Sequence, residues 1–271
     1  MLTFVKLGGS VITNKTQEES PNISVIKQLA AELRSVCSST RSNRTPQLVI
    51  GHGSGSFGHT YAKRYGVHTG LSSDADWIGF ALTSAAALRL NRIVVDELLA
   101  AGVPALSLQP SATIRSKQGV LTHWDTAMLS SALEHGLLPV VHGDVAFDTV
   151  QGSAIISTEQ LLTHLAHDAT FQLTRIILVG EAGVYTVDPH LDPHAQCIPH
   201  IDSANITTVL EGTGASHGVD VTGGMHGKIA LMWQLVCAVP NLTIQLIGPT
   251  PGLLTRAIQG DAVGEGTLIT A

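Results

Sequence analysis

Cysteine is scarce in this 271-residue chain: Cys37, Cys197 and Cys237 are its only three. They are odd in number and far apart, which argues against a disulfide framework and fits a reducing compartment. Charge is also sparse, with 13% Asp, Glu, Lys and Arg and a net charge of −6. With no long basic run, the electrostatic footprint of a nucleic-acid binder is missing, so any phosphate must be held locally. The apolar opening from Met1 to Leu7 is too short for a membrane span or a signal peptide and carries Lys6. The expectation is a cytoplasmic protein with neither membrane nor nucleic-acid partner.

What is abundant is small and apolar. Hydrophobic residues make up 44% of the chain and glycine contributes 27 positions. That composition suits a compact α/β enzyme with many tight strand-to-helix turns. Strand-like runs occur at Leu2–Leu7, Gln47–Ile50, Ala105–Leu108, Pro139–His142, Arg175–Val179 and Leu242–Ile247. Helical patterns lie between most of them. Ile26, Leu29, Ala30, Leu33 and Val36 recur at helical spacing, with Asn22 or Ser24 as caps, and a longer pattern runs from Ala81 to Ala101 and stops at Gly102. The alternation predicts an α/β three-layer αβα sandwich around a mainly parallel sheet. Arg115–Leu121 and Val145–Ile156 break the rhythm and read as rim β-hairpins. A soft boundary near Leu165–Leu173 divides an N-terminal lobe, 1–168, from a C-terminal lobe, 169–271.

Chemistry concentrates where strands end in glycine, because glycine lets the backbone approach a phosphate and point successive N–H groups at it. Lys6-Leu7-Gly8-Gly9-Ser10 follows the first strand, with Lys15 one loop later. Two ammonium groups around a backbone nest suit a transferring phosphoryl group. Gly51-His52-Gly53-Ser54-Gly55-Ser56-Phe57-Gly58-His59 follows the second strand. Its G-x-G-x-x-G at Gly53, Gly55 and Gly58, with Asp74 and Asp76 beyond, admits a dinucleotide oxidoreductase. Against that, the first βαβ unit already carries the lysines, and both aspartates sit in a polar loop. Asp220-Val221-Thr222-Gly223-Gly224-Met225 opens a helical run with Lys228 in its first turn, an anion site at a helix N-terminus.

Together these segments resemble the amino acid kinase superfamily. The resemblance rests on Lys6 to Ser10, His142-Gly143-Asp144, Gly183-Val184-Tyr185-Thr186-Val187-Asp188-Pro189 and Asp220 to Met225, in that order. Gly53 to His59 with Lys15, and Leu90 to Asp96 followed by Ala101 to Pro104, are similar to the isopentenyl phosphate kinase branch. The resemblance implies ATP and Mg2+ as cofactors, isopentenyl phosphate as the small-molecule substrate, and a homodimer. Fosfomycin is the alternative acceptor, since its kinase shares the lysine, glycine and histidine pattern. By matching motif, Gly53, Ser54, Gly55, His59 and Ser157 bind the acceptor. Lys6, Gly8, Gly9, Ser10 and Lys15 hold the transferring phosphoryl, and Gly180, Tyr185, Asp188, Gly223 and Lys228 belong to the nucleotide. Lys6, Lys15, His59 and Glu159 carry catalysis.

The chain departs from the family pattern twice. Ser157-Thr158-Glu159 stands where relatives commonly have Ser-Gly-Asp, so the lysine-orienting role falls on a longer side chain. Val179-Gly180-Glu181-Ala182-Gly183 replaces an Asp-x-Asp-Gly pattern, so nucleotide contacts there differ and Glu181 is no more than a candidate for one. An apolar tail pocket is expected from Trp77, Ile78, Phe80, Ala81, Leu82 and Ala85. His190, Asp192, His194, Cys197 and His200 form a zinc-like group, but three prolines interrupt it and no metal site is assigned.

Overall fold

The structure is a computed structural model describing residues 2–14, 16–38, 47–72, 77–187, 189, 192, 194–213, 224–261 and 264–271. In chain order, β1 (Leu2–Leu7), α1 (Gly9–Ile12), α2 (Ile23–Ser38), β2 (Gln47–His52), α3 (Gly55–Arg64) and α4 (Ile78–Ala100) come first. They are followed by β3 (Ala105–Ser107), β4 (Ile114–Lys117), β5 (Val120–Trp124), α5 (Ala127–Glu134), β6 (Leu138–His142), β7 (Asp144–Asp148), β8 (Gly152–Ile156) and α6 (Thr158–His167). The rest comprises β9 (Leu173–Val179), β10 (Val184–Tyr185), β11 (Cys197–Ile198), β12 (His200–Ile201), α7 (Ile206–Thr213), α8 (Gly224–Ala238), β13 (Thr243–Ile247), α9 (Leu253–Gln259) and β14 (Thr267–Ile269).

Eight strands form one sheet in the order β12-β14-β13-β9-β1-β2-β6-β3. Its pairings are parallel except β13 with β14. Alternation within each strand divides the core in two, because successive side chains point to opposite faces. On one face, Leu2 and Phe4 of β1 pack with Leu161, Leu162 and Leu165 of α6 and Ile229 and Met232 of α8. On the other, Val5 and Leu7 pack with Ile26, Leu29 and Leu33 of α2 and Leu90, Val94 and Leu98 of α4. Those α2 residues recur at three- and four-residue intervals, which makes the apolar stripe continuous. This is the expected three-layer α/β sandwich.

Helix α4 is long and apolar enough to cross a membrane by length and composition alone. Its buried residues instead cover the sheet, and it ends at Gly102, whose φ of +82° suits a glycine terminator. The two rim hairpins join into a four-stranded sheet, β5-β4-β7-β8. The short pairs around β10, β11, β12 and β14 escaped the sequence reading, since two- and three-residue strands carry no usable periodicity.

Candidate active site

The parallel strands end together. Leu7 lies in register with His52 on one side and Val179 on the other, and Val179 with Ile247. The ladder continues just past those ends: Gly8 N–H donates to Val179 O (2.7 Å), Gly53 N–H to Leu7 O (3.0 Å) and Gly180 N–H to Ile247 O (2.9 Å). The turns at Gly8, Gly53 and Gly180 therefore leave the same carboxyl edge, the usual ligand position in an open α/β sheet; the first two are glycine turns expected from the sequence, and Asp220 to Gly223 of the third expected turn lie outside the described residues. The first two touch. A Cβ on Gly9 would lie 2.6 Å from Gly55 N, and one on Gly53 would lie 3.0 Å from Gly9 N. Gly55 also has φ +48°, a left-handed backbone that disfavours other residues. Thr13 staples the turns, donating its hydroxyl to Gly9 O (2.7 Å) and accepting from Ser56 N–H (3.1 Å).

Lys6 has the same parity as Leu2 and Phe4, so it faces α6 and α8. There its ammonium pairs with Glu159 in the first turn of α6. The longer carboxylate does reach the lysine. Burial pushes the Glu159 carboxyl up, but the charge and hydrogen bond of Lys6, joined by the charge of Lys228, hold it below the ordinary carboxylate range. One anionic side chain thus lies in the field of two lysines from distant parts of the sequence. Ser157 caps α6 by accepting from Gln160 N–H (3.2 Å), and its own O–H remains a donor. Ser10 is exposed on α1 beside the first nest. A Cβ on Gly180 would meet no neighbour within 4 Å, so that turn is open. Tyr185 sits on β10, paired with Cys197 of β11. Lys15, Asp188 and Gly223 lie outside the described residues, as do Asp74, Asp76 and His190.

His59 is exposed on α3 and borders a small cavity with Ser54, Gly58, Thr83, Ala87 and Asp144. None of the six residues expected to form the tail pocket borders that cavity. Thr83 and Ala87 share one face of α4, whereas Ile78 and Ala81 point away from it at 100° per residue. Trp77 and Phe80 pack instead with Phe147 of β7, with ring centroids 5.8 and 4.9 Å from it. Cys197 and His200 have separate partners, Gly266 O and the Thr270 hydroxyl.

The partners of other residues near the site were not legible in the sequence. The Asp144 carboxylate accepts from Val145 N–H (2.8 Å), Ser111 N–H (3.1 Å) and the Ser84 hydroxyl (3.2 Å). The loop after α1 is clasped to the neighbouring helices by Glu18 with Arg64 (3.1 Å) and Glu19 with Arg89. No local pattern announces such pairs, because their partners lie 46 and 70 residues apart.

The amino acid kinase family model matches residues 1–238. The isopentenyl phosphate kinase of Methanothermobacter thermautotrophicus is 38% identical over 279 aligned residues, covering 99% of both chains. That of Haloferax volcanii is 33% identical over 94% of this chain and 98% of its own. Among solved structures, an isopentenyl phosphate kinase superposes with a TM-score of 0.81 at 34% identity, covering both chains completely. With matches of this extent and the glycine turns gathered at one sheet edge, the chain belongs to the amino acid kinase family, in its isopentenyl phosphate kinase branch.

Proposed function

We propose that the protein transfers the γ-phosphoryl group of ATP to isopentenyl phosphate, giving isopentenyl diphosphate and ADP. The observation that carries this reading is the end-to-end similarity to the Methanothermobacter isopentenyl phosphate kinase, at 38% identity. The geometry supports it. A phosphate monoester is an anionic nucleophile at neutral pH, so the reaction needs no general base. The barrier is the approach of two anions, and it is lowered by donors and cations fixed in advance.

Gly53, Ser54, Gly55 and His59 take the acceptor's phosphate, with Ser157 supplying a further hydroxyl. Gly8, Gly9 and Ser10, touching that loop, face the transferring group together with Lys6 and Lys15. Glu159 orients Lys6, and Lys228 meets the nucleotide's phosphates, which Gly180, Tyr185, Asp188 and Gly223 flank. Mg2+ supplies further charge neutralisation when bound. Among the described residues the carboxylates fit a metal held mainly by nucleotide oxygens, since Glu159 is paired with Lys6 and Asp144 already accepts from three protein donors. The test is ADP release by purified protein with Mg-ATP. Isopentenyl phosphate should support fast turnover and fosfomycin slow turnover; the reverse ranking overturns the choice of substrate.

A further inference from the structure

Two histidines that the proposed reaction does not use lie fully buried beneath the acceptor loop. His52 ends β2, His142 ends β6, and the two are in register. Their rings stack with centroids 5.5 Å apart and 24° between planes. Each is followed by glycine, and each Nδ1 lies 3.1 Å from that glycine's carbonyl oxygen, Gly53 O and Gly143 O. His52 Nε2 lies 3.1 Å from Asn91 Nδ2 on α4, and Asn91 Oδ1 accepts from the hydroxyl of Ser107 at the end of β3.

The hydrogen-bond inventory fixes the protons along this chain. Gly53 O only accepts, so His52 Nδ1 carries hydrogen. Burial, and then the neighbouring His142 ring, disfavour a charged His52, so Nε2 keeps its lone pair. Asn91 must therefore present its amide N–H2 to the ring and its oxygen to Ser107. In a trans peptide the C=O and N–H point in opposite directions. Holding Gly53 O onto His52 turns the Ser54 N–H to the opposite side of that peptide, away from the imidazole.

We infer that His52, held by Asn91 and Ser107, is a positioning residue that sets the Gly53–Ser54 peptide for the acceptor's phosphate. This rests on the reading that the loop from Gly53 binds that phosphate. His52 touches no substrate; it acts through the peptide it anchors. The arrangement spans three adjacent strand ends and one helix, which makes the loop rigid before substrate arrives.

Two substitutions separate positioning from packing. Asparagine places its amide near the Nδ1 position of histidine and glutamine places it near Nε2, while glutamine better preserves volume. If His52 positions the loop, His52→Asn keeps the acceptor KM within about threefold of the parent. His52→Gln then raises it about tenfold, the cost of one hydrogen bond, with the ATP KM unchanged. If His52 only fills space, the ranking reverses or vanishes, and the inference is overturned. The parent protein provides an independent readout: nitrogen-15 NMR should show His52 neutral with hydrogen on Nδ1, and an Nε2–H form would overturn the assignment. Should the His52 variants fail to fold, Ser107→Ala should raise the acceptor KM two- to threefold, roughly the lower end for a lost hydrogen bond, and no change refutes the relay. His59→Ala tests the underlying reading. If it leaves the acceptor KM and kcat intact, the loop's assignment fails; if only the His52 and Ser107 effects are missing, the positioning inference alone fails.

Discussion

The buried His52 should make the fold acid-sensitive from a pH above that at which carboxylates begin to titrate. Burial, followed by the neighbouring His142, lowers its pKa from 6.5 to about 3. Between those values the unfolded chain binds a proton that the folded chain does not, so stability falls as pH falls. At pH 5 the unfolded histidine is about 1.5 units below its pKa, and each unit corresponds to ~1.4 kcal/mol. This one group therefore removes about 2 kcal/mol of the stability present at pH 8, a sizeable share of a typical 5–15 kcal/mol total. Urea unfolding at pH 8, 7, 6 and 5 of the parent and His52→Asn would measure it. The variant starts less stable but loses about 2 kcal/mol less on acidification. His164, also shifted down chiefly by burial, contributes equally to both proteins and cancels in the comparison. Parallel curves would show that His52 accepts a proton in the folded state, and the reasoning would fail.

Other outcomes follow from the same contacts. His59→Ala should lower kcat/KM for the acceptor by about a hundredfold or more, as for loss of a transition-state donor. Asn or Gln at that position, keeping a donor, should lose less, and equal loss in all three would indicate proton transfer. Glu159→Gln leaves the half-buried Lys6 without its carboxylate and should cost about 1–3 kcal/mol by chemical denaturation, between the exposed and buried limits for ion pairs; an unchanged midpoint would refute the pairing. Gly9→Ala places a methyl 2.6 Å from Gly55 N, parting the two phosphate turns, and should lower kcat/KM about a hundredfold with an unaltered circular dichroism spectrum. Asp148 accepts from the N–H groups of Gln118, Gly119, Val150 and Gln151 and from the Ser116 hydroxyl. Asp148→Asn should lower stability by about 2 kcal/mol or more, measured as a denaturation midpoint.

The apolar runs of β1, β2, β6, β9 and β13, alternating along the chain with helical spacing such as that in α2 and α4, were enough to specify an α/β sandwich. Solvent exclusion acts on local periodicity, and that is written in consecutive residues. The glycine turns were legible for a related reason: close backbone approach and a left-handed φ such as that of Gly55 demand glycine whatever surrounds them. The identity of the partners was not legible. That Lys6 meets Glu159, that Asn91 reaches His52, and that Thr83 and Ala87 border the cavity beside His59 depend on strand order and helix rotation. These are set by the packing of the whole sheet. Electrostatic coupling falls off with distance in space and is indifferent to separation along the chain, so only the tertiary structure could decide which charges and which imidazoles share a site.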